Sequence, residues 1–599
     1  MTLAVLCAGR APDAAIADDL TTALRAAGAT SVERIPVAEA ARRAQATGEK
    51  LLLCMDDLVV HPSLLWTLAT EPAGRTTALV VADSDGDLRE ERGRVLPGPG
   101  AIRFAGALCV APADLKIVEA ADGTGDLQEL VADLTPIATR VRLLHAERVH
   151  TPEQLATAKA AIAAVDEEKA RLRLAVKEKD DFFTTYAVST WSPIVTRWCA
   201  RLGLTPSGVT GLSVLLAVGA ALLFWEASRP AMIAGAVLLY LGFVLDCVDG
   251  QLARFTRRFG AFGGWLDTMA DRAKEYAAYA GLAAGAERIG LPYAWPLAIT
   301  AILLQTVRHM TDAWYGALHD EAAARPVAAA ETGVGARLSA ASNRVQADTG
   351  SLAYWLKRIV VFPIGERWAL IAVLAAVGNG RIALAGVVLW GVLAFGYTFA
   401  LRSLRSVGMR VGVLNTVDTM RHRDDGVLTR DVISRARAKA PLLFGVTAAI
   451  AGLAAVAIHT RVALPVAALI VLAAGLAARD SHAGPLDWLV PATLRAAEYL
   501  LVVAAGLVGD VHPAIVFLLL FVLAMHHYDL VARMEKNAPE SSAGRAILGW
   551  DGRVVLVTAA VLLWAPSFGM VVIAVLTGAA FLGRAVEDWR RSRPSGARR

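Results

Sequence analysis

Apolar and polar positions follow two different patterns along this chain. Over roughly the first 200 residues, short apolar runs alternate with polar segments of helical type, whereas long apolar stretches dominate beyond residue 205. Short bounded runs are typical of buried strands, and long ones of membrane helices. The pattern therefore predicts a water-soluble head followed by an all-α polytopic membrane region.

Four short apolar runs in the head predict buried strands. They occupy residues 2–9, 51–55, 78–82 and 107–110, and a polar, alanine-rich segment of helical type follows the first run. Strands that alternate with helical segments favour an α/β layer fold. We expect this fold over residues 1–150.

Two sets of six apolar segments predict about twelve transmembrane helices. Several are shorter than the roughly 20 residues that cross a bilayer, so flanking residues must extend them. The first set is 209–225, 231–245, 266–286, 291–307, 369–377 and 382–401, and the second is 441–459, 462–478, 488–508, 513–525, 554–564 and 570–582.

Basic clusters between these segments predict the orientation. Lys and Arg concentrate at 197–201, 254–258, 402–410 and 533–553, and such clusters mark cytoplasmic loops. The N-terminus lacks the charged-then-apolar layout of a signal peptide. We expect a multi-pass protein of the cell (inner or plasma) membrane whose head faces the cytoplasm.

The remaining segments connect these regions. Thr151-Pro152-Glu153 predicts the start of a linker helix that runs to residue 179, and residues 177–201 predict an amphipathic helix at the membrane interface. The charged segment 319–348 predicts a mobile cytoplasmic loop. The predicted organisation is head 1–150, linker 151–205, first membrane domain 206–410, connector 411–439 and second membrane domain 440–599.

Composition agrees with this division. Of the 599 residues, 56% are apolar and 19% charged, so the chain is too long for one core and too apolar for a soluble protein. The net charge of +5 is slight, and we expect no nucleic-acid partner. The five cysteines form no C-x-x-C pair, which fits buried thiols in a reducing compartment.

Four aspartates interrupt the apolar sequence between residues 245 and 274. Asp246 and Asp249 are three residues apart, and Asp267 and Asp271 four, so each pair lies on one face if its segment is helical. Carboxylates at membrane depth are costly and usually functional. Clustered together they repel one another unless protons or hard cations such as Mg²⁺ or Mn²⁺ neutralise them. The alternative is a solvated turn between two spans.

The full pattern from Asp246 to Asp271 is D-x2-D-G-x2-A-R-x8-G-x3-D-x3-D. It is the signature of the CDP-alcohol phosphotransferase (CDP-alcohol phosphatidyltransferase) family, which the chain resembles over roughly residues 177–410. The resemblance implies a homodimer with a six-helix membrane fold. It also implies transfer of a phosphoryl-linked group from a CDP-alcohol to an acceptor hydroxyl, with release of CMP and two bound Mg²⁺ or Mn²⁺ ions.

The resemblance also implies residue roles. Asp246, Asp249, Asp267 and Asp271 would hold the metals, and Asp271 would be the general base. The nucleotide would contact Asp249, Gly250, Ala253, Arg254 and Gly263. For the two glycines, close packing of membrane helices is the alternative.

Basic residues beyond the motif suggest an acceptor pocket. Arg308, Lys357 and Arg358 would suit a phosphorylated polyol such as an inositol phosphate. The alternatives are juxtamembrane charges that serve topology and anionic lipid for Lys357 and Arg358, and a structural Arg308–Asp312 ion pair.

The head resembles sugar-phosphate nucleotidyltransferases, which have a Rossmann-type fold. Residues 4–10 (Ala-Val-Leu-Cys-Ala-Gly-Arg) match the first strand and glycine loop, and Asp57, Pro62 and Gly106 match later positions. The sequence after Arg10 lacks the remaining glycine and basic residues of the phosphate-binding loop. We therefore expect a nucleotidyltransferase-like head with degenerate catalysis.

Polar residues also interrupt the second membrane set. Arg495 with Glu498, and His526 with His527, lie near or within apolar spans. Adjacent helix residues point in different directions, so solvation at the membrane interface is the favoured interpretation of the two histidines. This set matches no family pattern that indicates a role.

Two functions are compatible with these features. The first is a membrane CDP-alcohol phosphotransferase of phospholipid biosynthesis, with a donor of the CDP-diacylglycerol or CDP-inositol type. The fused head is similar to that of enzymes that make CDP-inositol and join it to inositol phosphate. The second is a non-catalytic transporter or scaffold that retains the fold and carries a nucleotide-sensing head.

Overall fold

The structure is a computed structural model that divides into two compact units. The first unit is Met1–Glu178, Pro193–Gly203 and Gly250–Gly260, and the second is Lys179–Ser192, Leu204–Asp249 and Ala261–Arg599. The residues that the structure describes are 2–9, 15–91, 93–121, 127–178, 180–324, 351–409, 423–482, 484–535 and 548–592, with four single positions between 337 and 345.

The head contains a six-stranded mixed sheet of order β2-β1-β3-β6-β5-β7 and a small β4–β8 pair. Strands β1, β2 and β3 are parallel, β3 and β6 are antiparallel, and β7 is parallel to β5. The strands are β1 (Thr2–Cys7), β2 (Ser31–Glu33), β3 (Lys50–Met55), β4 (Leu58–Val60), β5 (Thr77–Glu91), β6 (Arg94–Val110), β7 (Ile137–Arg140) and β8 (Ala146–Arg148).

Helices cover both faces of this sheet, which explains the unbroken apolar runs in the sequence. Alternate side chains of β1 enter different cores, with Leu3 and Val5 on one side and Ala4 and Leu6 on the other. A strand that is buried on both faces needs apolar residues at every position. The predicted α/β fold is confirmed. The helices of this region are α1 (Ala15–Ala26), α2 (Val37–Thr47), α3 (Pro62–Ala69), α4 (Leu115–Ala120), α5 (Leu127–Leu134), α6 (Pro152–Ala163) and α7 (Glu167–Ala175).

Two local features of the first unit extend the prediction. Strands β5 and β6 continue well beyond the predicted runs as a long hairpin whose outer half is polar. The predicted linker helix starts as expected, because Thr151 and Gln154 form a capping box. It is two helices and not one, since α6 ends at Ala163 and Asp166 caps α7.

Beyond residue 180, the regular elements of the described residues are helices. Helices α8 and α10 contain residues of both units, and the others belong to the second. They are α8 (Ser192–Arg201), α9 (Pro206–Glu226), α10 (Arg229–Thr256), α11 (Ala261–Arg288), α12 (Ala294–Ala324), α13 (Leu352–Val360), α14 (Ile364–Val377), α15 (Gly380–Met409), α16 (Val427–Asp431), α17 (Pro441–Ile458), α18 (Ala463–Ala473), α19 (Val490–Val508), α20 (Pro513–Glu535), α21 (Trp550–Leu562) and α22 (Pro566–Ser592).

Seven of the described helices are long and apolar enough to cross a membrane, or eight if a bent pair counts as one span. All twelve predicted segments are helical, but the predicted count of twelve spans is higher than this. Helix α11 carries too many charged residues, and α18 and α21 are short. Residues 325–336 of the predicted mobile loop and 410–422 of the connector lie outside the described residues.

The bent pair is α13 and α14, whose axes differ by 74°. The break falls at residues 361–363, where Phe362 adopts a left-handed backbone with φ +55°. The buried Arg308 guanidinium donates to the main-chain carbonyls of Val361 and Phe362. Arg308 thereby satisfies carbonyl groups that the break removes from helical hydrogen bonding.

The C-terminal helices pack on α11 and α12. Met310 and Trp314 of α12 share a core with Trp488 and Val531, and the His309 ring stacks on Tyr528 with centroids 4.0 Å apart. The second apolar set therefore shares a continuous core with helices of the first.

Candidate active site

Helices α10 and α11 bring three of the four motif aspartates together. Carboxylate oxygens of Asp246, Asp267 and Asp271 all lie within 4.8 Å of one another. The helical spacing explains this: Asp267 and Asp271 are one turn apart on α11, and both face Asp246 on α10. The carboxylates are only partly exposed, with side-chain exposures of 11% for Asp246 and 20% for Asp271.

This group fits a divalent cation. Two oxygens bound to one Mg²⁺ are at most about 4.2 Å apart, so small side-chain rotations would close the observed spacing around an ion. Carboxylate oxygens are the ligands that Mg²⁺ and Mn²⁺ prefer. Asp271 Oδ1 is buried and lies 3.1 Å from the Lys274 ammonium, so this oxygen already faces a positive charge. A carboxylate oxygen in that setting is suited to a cation.

Asp249 lies one helical turn after Asp246 but does not join the group of three. Its side chain is buried and accepts a hydrogen bond from Thr210 Oγ1 of α9 at 2.5 Å. The predicted four-aspartate set is therefore three converging carboxylates and a fourth that is tied to α9. No pattern in the sequence pointed to Thr210.

A lysine that the sequence analysis did not select lies at the centre of the site. Lys274 Nζ contacts Asp246 Oδ1, Asp271 Oδ1 at 3.1 Å and Ser213 Oγ at 3.2 Å. Its side chain is completely buried. The sequence feature that could have identified Lys274 is its position, one turn beyond Asp271 on the helix face that carries the motif.

The predicted nucleotide-binding residues fall in both units. Gly263 begins α11, where a Cβ atom would lie 3.4 Å from Ser207 Oγ, an ordinary contact. Gly250, Ala253 and Arg254 belong to the first unit. Within that unit, Arg254 Nε donates to the main-chain carbonyl of Ala175 at 2.5 Å, and a Cβ on Gly250 would lie 3.3 Å from Arg254 Nη1.

The predicted acceptor residues have different surroundings. Arg308 is buried against the break between α13 and α14, and Asp312 pairs with Arg402, so the predicted alternative of an Arg308–Asp312 pair is replaced by Asp312–Arg402. Lys357 and Arg358 lie in the last turn of α13, where Arg358 Nη1 donates to the Tyr354 hydroxyl at 2.6 Å.

The two histidines of the second set are buried, so the interpretation of interfacial solvation is wrong. His526 and His527 both approach Asp424, with Nε2–Oδ2 distances of 3.3 and 3.6 Å. This spacing would allow a metal ion. However, Arg553 donates to the same Asp424 oxygen at 2.5 Å, and Arg495 contacts His527 Nε2. Guanidinium groups at the ligand atoms oppose a cation, so the group is a buried ion network.

This network also explains the ionisation of Asp424. Burial alone would raise its pKa, but Arg553 and the hydrogen-bonded histidines lower the pKa well below the usual value of an aspartate. Arg553 and Arg495 in turn pair with the buried Glu498. The predicted polar interruptions are thus one charge-paired cluster.

In the head, the aspartate that matches the nucleotidyltransferase pattern is already paired with an arginine of the same chain. Asp57 is fully buried and accepts two hydrogen bonds from Arg148, at 2.9 and 2.8 Å. Gly9 N donates to Asp56 Oδ1 at 2.7 Å, and a Cβ there would collide with Asp56 and Asp57. Arg10 and the loop that follows it lie outside the described residues.

Comparison with known proteins finds two family matches in separate regions. Residues 204–336 match the CDP-alcohol phosphatidyltransferase family, and residues 419–598 match a family of unknown function (DUF5941).

Three curated proteins are similar to short stretches of the chain. An archaetidylinositol phosphate synthase of Pyrococcus horikoshii is 35% identical over 86 residues, which cover 14% of this chain and 44% of that protein. A synthase of the same name from Aeropyrum pernix is 37% identical over 81 residues, 14% of this chain and 40% of that protein. A bifunctional IPC transferase and DIPP synthase of Aquifex aeolicus is 38% identical over 79 residues, 13% of this chain and 18% of that protein. The chain spans less than half the length of each relative.

Proposed function

Since residues 204–336 are a CDP-alcohol phosphatidyltransferase domain, we propose that this protein is a membrane CDP-alcohol phosphotransferase of phospholipid biosynthesis. It transfers a substituted phosphate group from a CDP-alcohol to an acceptor hydroxyl and releases CMP. The observation that carries the proposal is the convergence of Asp246, Asp267 and Asp271 within 4.8 Å.

The three carboxylates would hold Mg²⁺ or Mn²⁺, which when bound neutralises negative charge on the diphosphate and on the departing CMP. The chain's own contribution is positional. Thr210 of α9 donates a hydrogen bond to the Asp249 carboxylate and so fixes its orientation. We propose that Asp249 contacts the nucleotide in this orientation. Packing on two long helices holds the site rigidly, as precise positioning of reactants requires.

Asp271 is the proposed general base. It accepts the proton of the acceptor hydroxyl as that oxygen forms a bond to the phosphorus that carries the donor alcohol. The bond from that phosphorus to the bridging oxygen breaks, and CMP leaves with the electron pair. The position of Asp271 among the three converging carboxylates supports this role.

The remaining substrate contacts are assigned from the motif. Gly250, Ala253, Arg254 and Gly263 would contact the nucleotide, and the guanidinium of Arg254 suits a phosphate group. Lys357 and Arg358 are proposed to bind a phosphorylated polyol acceptor. Two of the similar proteins are named as archaetidylinositol phosphate synthases, which favours an inositol phosphate as the acceptor class.

For the whole protein we propose a homodimer in the cell membrane, with the head and the site on the cytoplasmic side. Basic clusters beside the predicted spans support this orientation. We further propose that the head is non-catalytic, because Arg148 already satisfies the Asp57 carboxylate.

The test is a donor and acceptor matrix with purified protein. CDP-diacylglycerol, CDP-archaeol and CDP-inositol are each incubated with Mg²⁺ or Mn²⁺, with and without inositol phosphate or another polyol phosphate, while CMP is measured. We expect CMP release that needs metal, one donor and one acceptor. Absence of CMP release in every combination would favour the non-catalytic alternative.

A further inference from the structure

The position of Lys274 has a consequence for the metal content of the site. This side chain is fully buried, and its ammonium meets three oxygens: one on Asp246, one on Asp271 and the hydroxyl of Ser213. The Ser213 hydroxyl donates to the Thr210 carbonyl at 2.8 Å, so its oxygen is free to accept from Lys274. Each ammonium hydrogen therefore has an acceptor at hand.

The ammonium also occupies the place of a bridging cation. Carboxylates of Asp246 and Asp271 come from different helices, and a charge between them is needed to hold both ionised. Lys274 supplies that charge from within the chain. The centroid of the Trp368 ring lies 5.6 Å from Nζ, and the ring adds a favourable cation–π contact.

We propose that Lys274 is a built-in cation that replaces one of the two divalent ions, so that the site binds a single Mg²⁺ or Mn²⁺ ion. The three converging carboxylates carry three negative charges, and the ammonium reduces these to two, which one divalent ion balances. A second ion between Asp246 and Asp271 would meet the fixed ammonium at close range, where repulsion is strong even at a high effective dielectric constant. This inference rests on the proposed function, because it concerns the metal site of that reaction.

The test counts bound ions without reference to turnover. Full-length protein in detergent is titrated with Mn²⁺, and free Mn²⁺ is measured by electron paramagnetic resonance. We expect one bound equivalent in the wild type and in Lys274→Arg. Lys274→Met should bind two equivalents, with the first tightened by at least about tenfold because a positive charge is lost. Lys274→Gln, which keeps a hydrogen-bond donor, should behave like Lys274→Met and serves if that variant does not fold.

Arg288→Met is the matched control. This exposed cation lies on the same helix and faces the Trp225 ring, so its loss should leave ion number and affinity unchanged. Two equivalents in the wild type, or unchanged binding in the neutral Lys274 variants, would overturn the inference and leave the phosphotransferase proposal standing. Absence of Mn²⁺ binding in every variant, together with absence of CMP release, would overturn both.

Discussion

Trp265 Nε1 donates a hydrogen bond to Asp529 Oδ1 at 2.9 Å, and this bond joins the helix that carries Asp267 and Asp271 to the C-terminal helices. Trp265 lies two residues before Asp267 on α11. Asp529 is fully buried on α20 and also accepts from Arg533 at 3.0 Å and Arg584 at 3.1 Å. Asp529 lies in the region matched by the family of unknown function. That region therefore contacts α11 beside the proposed metal-binding residues.

Trp265→Phe should weaken this junction while it keeps most of the apolar packing. Loss of a hydrogen bond to a charged acceptor costs about 1.5–3 kcal/mol. We expect a lower unfolding temperature in detergent and a lower kcat for CMP release. Trp198→Phe is the control, because Trp198 is 62% exposed and should tolerate the change. Equal stability and kcat in the two variants would show that the C-terminal helices do not support the site through this bond.

Thr210→Val should release Asp249 from α9. The bond from Thr210 Oγ1 to the carboxylate is charge-assisted, so its loss should raise the KM for the CDP-alcohol by about tenfold or more. Thr210→Ser keeps the hydroxyl and should restore the wild-type KM. An unchanged KM in Thr210→Val would mean that Asp249 does not contact the nucleotide.

Variants of Arg358 and Arg308 should distinguish binding of the acceptor from stabilisation of the fold. Arg358→Gln is expected to raise the acceptor KM without loss of thermal stability, since the hydrogen bond that Arg358 makes to the Tyr354 hydroxyl is a local one within α13. Arg308→Met should lower the unfolding temperature, because the Val361 carbonyl at the break after α13 loses its Arg308 donor and the Phe362 carbonyl is left with Arg367. Titration of the acceptor and thermal unfolding distinguish the two effects. A raised acceptor KM with unchanged thermal stability in Arg308→Met, and an unchanged acceptor KM in Arg358→Gln, would assign acceptor binding to Arg308.

Asp424→Asn should destabilise the C-terminal region by about 3–5 kcal/mol at pH 7, because it leaves the two buried cations Arg553 and Arg495 with Glu498 as their one shared counter-charge in this cluster. The lowered pKa of Asp424 fixes the sign of the pH dependence. The stability that ionised Asp424 contributes is fully present above about 3.9, the pKa of an aspartate in the unfolded chain. It is lost as pH falls through the pKa of Asp424 in the folded protein. The stability difference between wild type and variant should therefore be constant between pH 6 and 8. A difference that varies within that window would contradict this account.

The sequence predicted the parts of the site whose residue types are rare in apolar helices. Asp246, Asp267 and Asp271 were identified because carboxylates at helical spacing in an apolar segment need an explanation. Thr210, Ser213 and Lys274 were missed because threonine and serine are common in membrane helices and one lysine follows no pattern. Their roles depend on how α9 and α11 pack, which spacing along the chain does not specify.

Other differences from the sequence prediction have similar physical causes. Helix α11 was predicted as a span because it appears apolar beyond its motif, yet Arg272, Lys274 and Glu275 form internal ion pairs there. Interfacial solvation was predicted for His526 and His527 because adjacent side chains of one helix point in different directions. Their shared partner, Asp424, lies in the predicted connector, about a hundred residues earlier, where local periodicity gives no signal.

The most direct measurement is metal-dependent CMP release by Asp271→Asn compared with the wild type, with Mn²⁺ binding and expression measured in parallel. Removal of the proposed base should lower kcat by about 10²–10⁴-fold while the protein still folds. Mn²⁺ binding should be weakened but not lost, because the asparagine amide oxygen and the Asp246 and Asp267 carboxylates remain as ligands. CMP release at the wild-type rate by a folded Asp271→Asn protein would contradict the account.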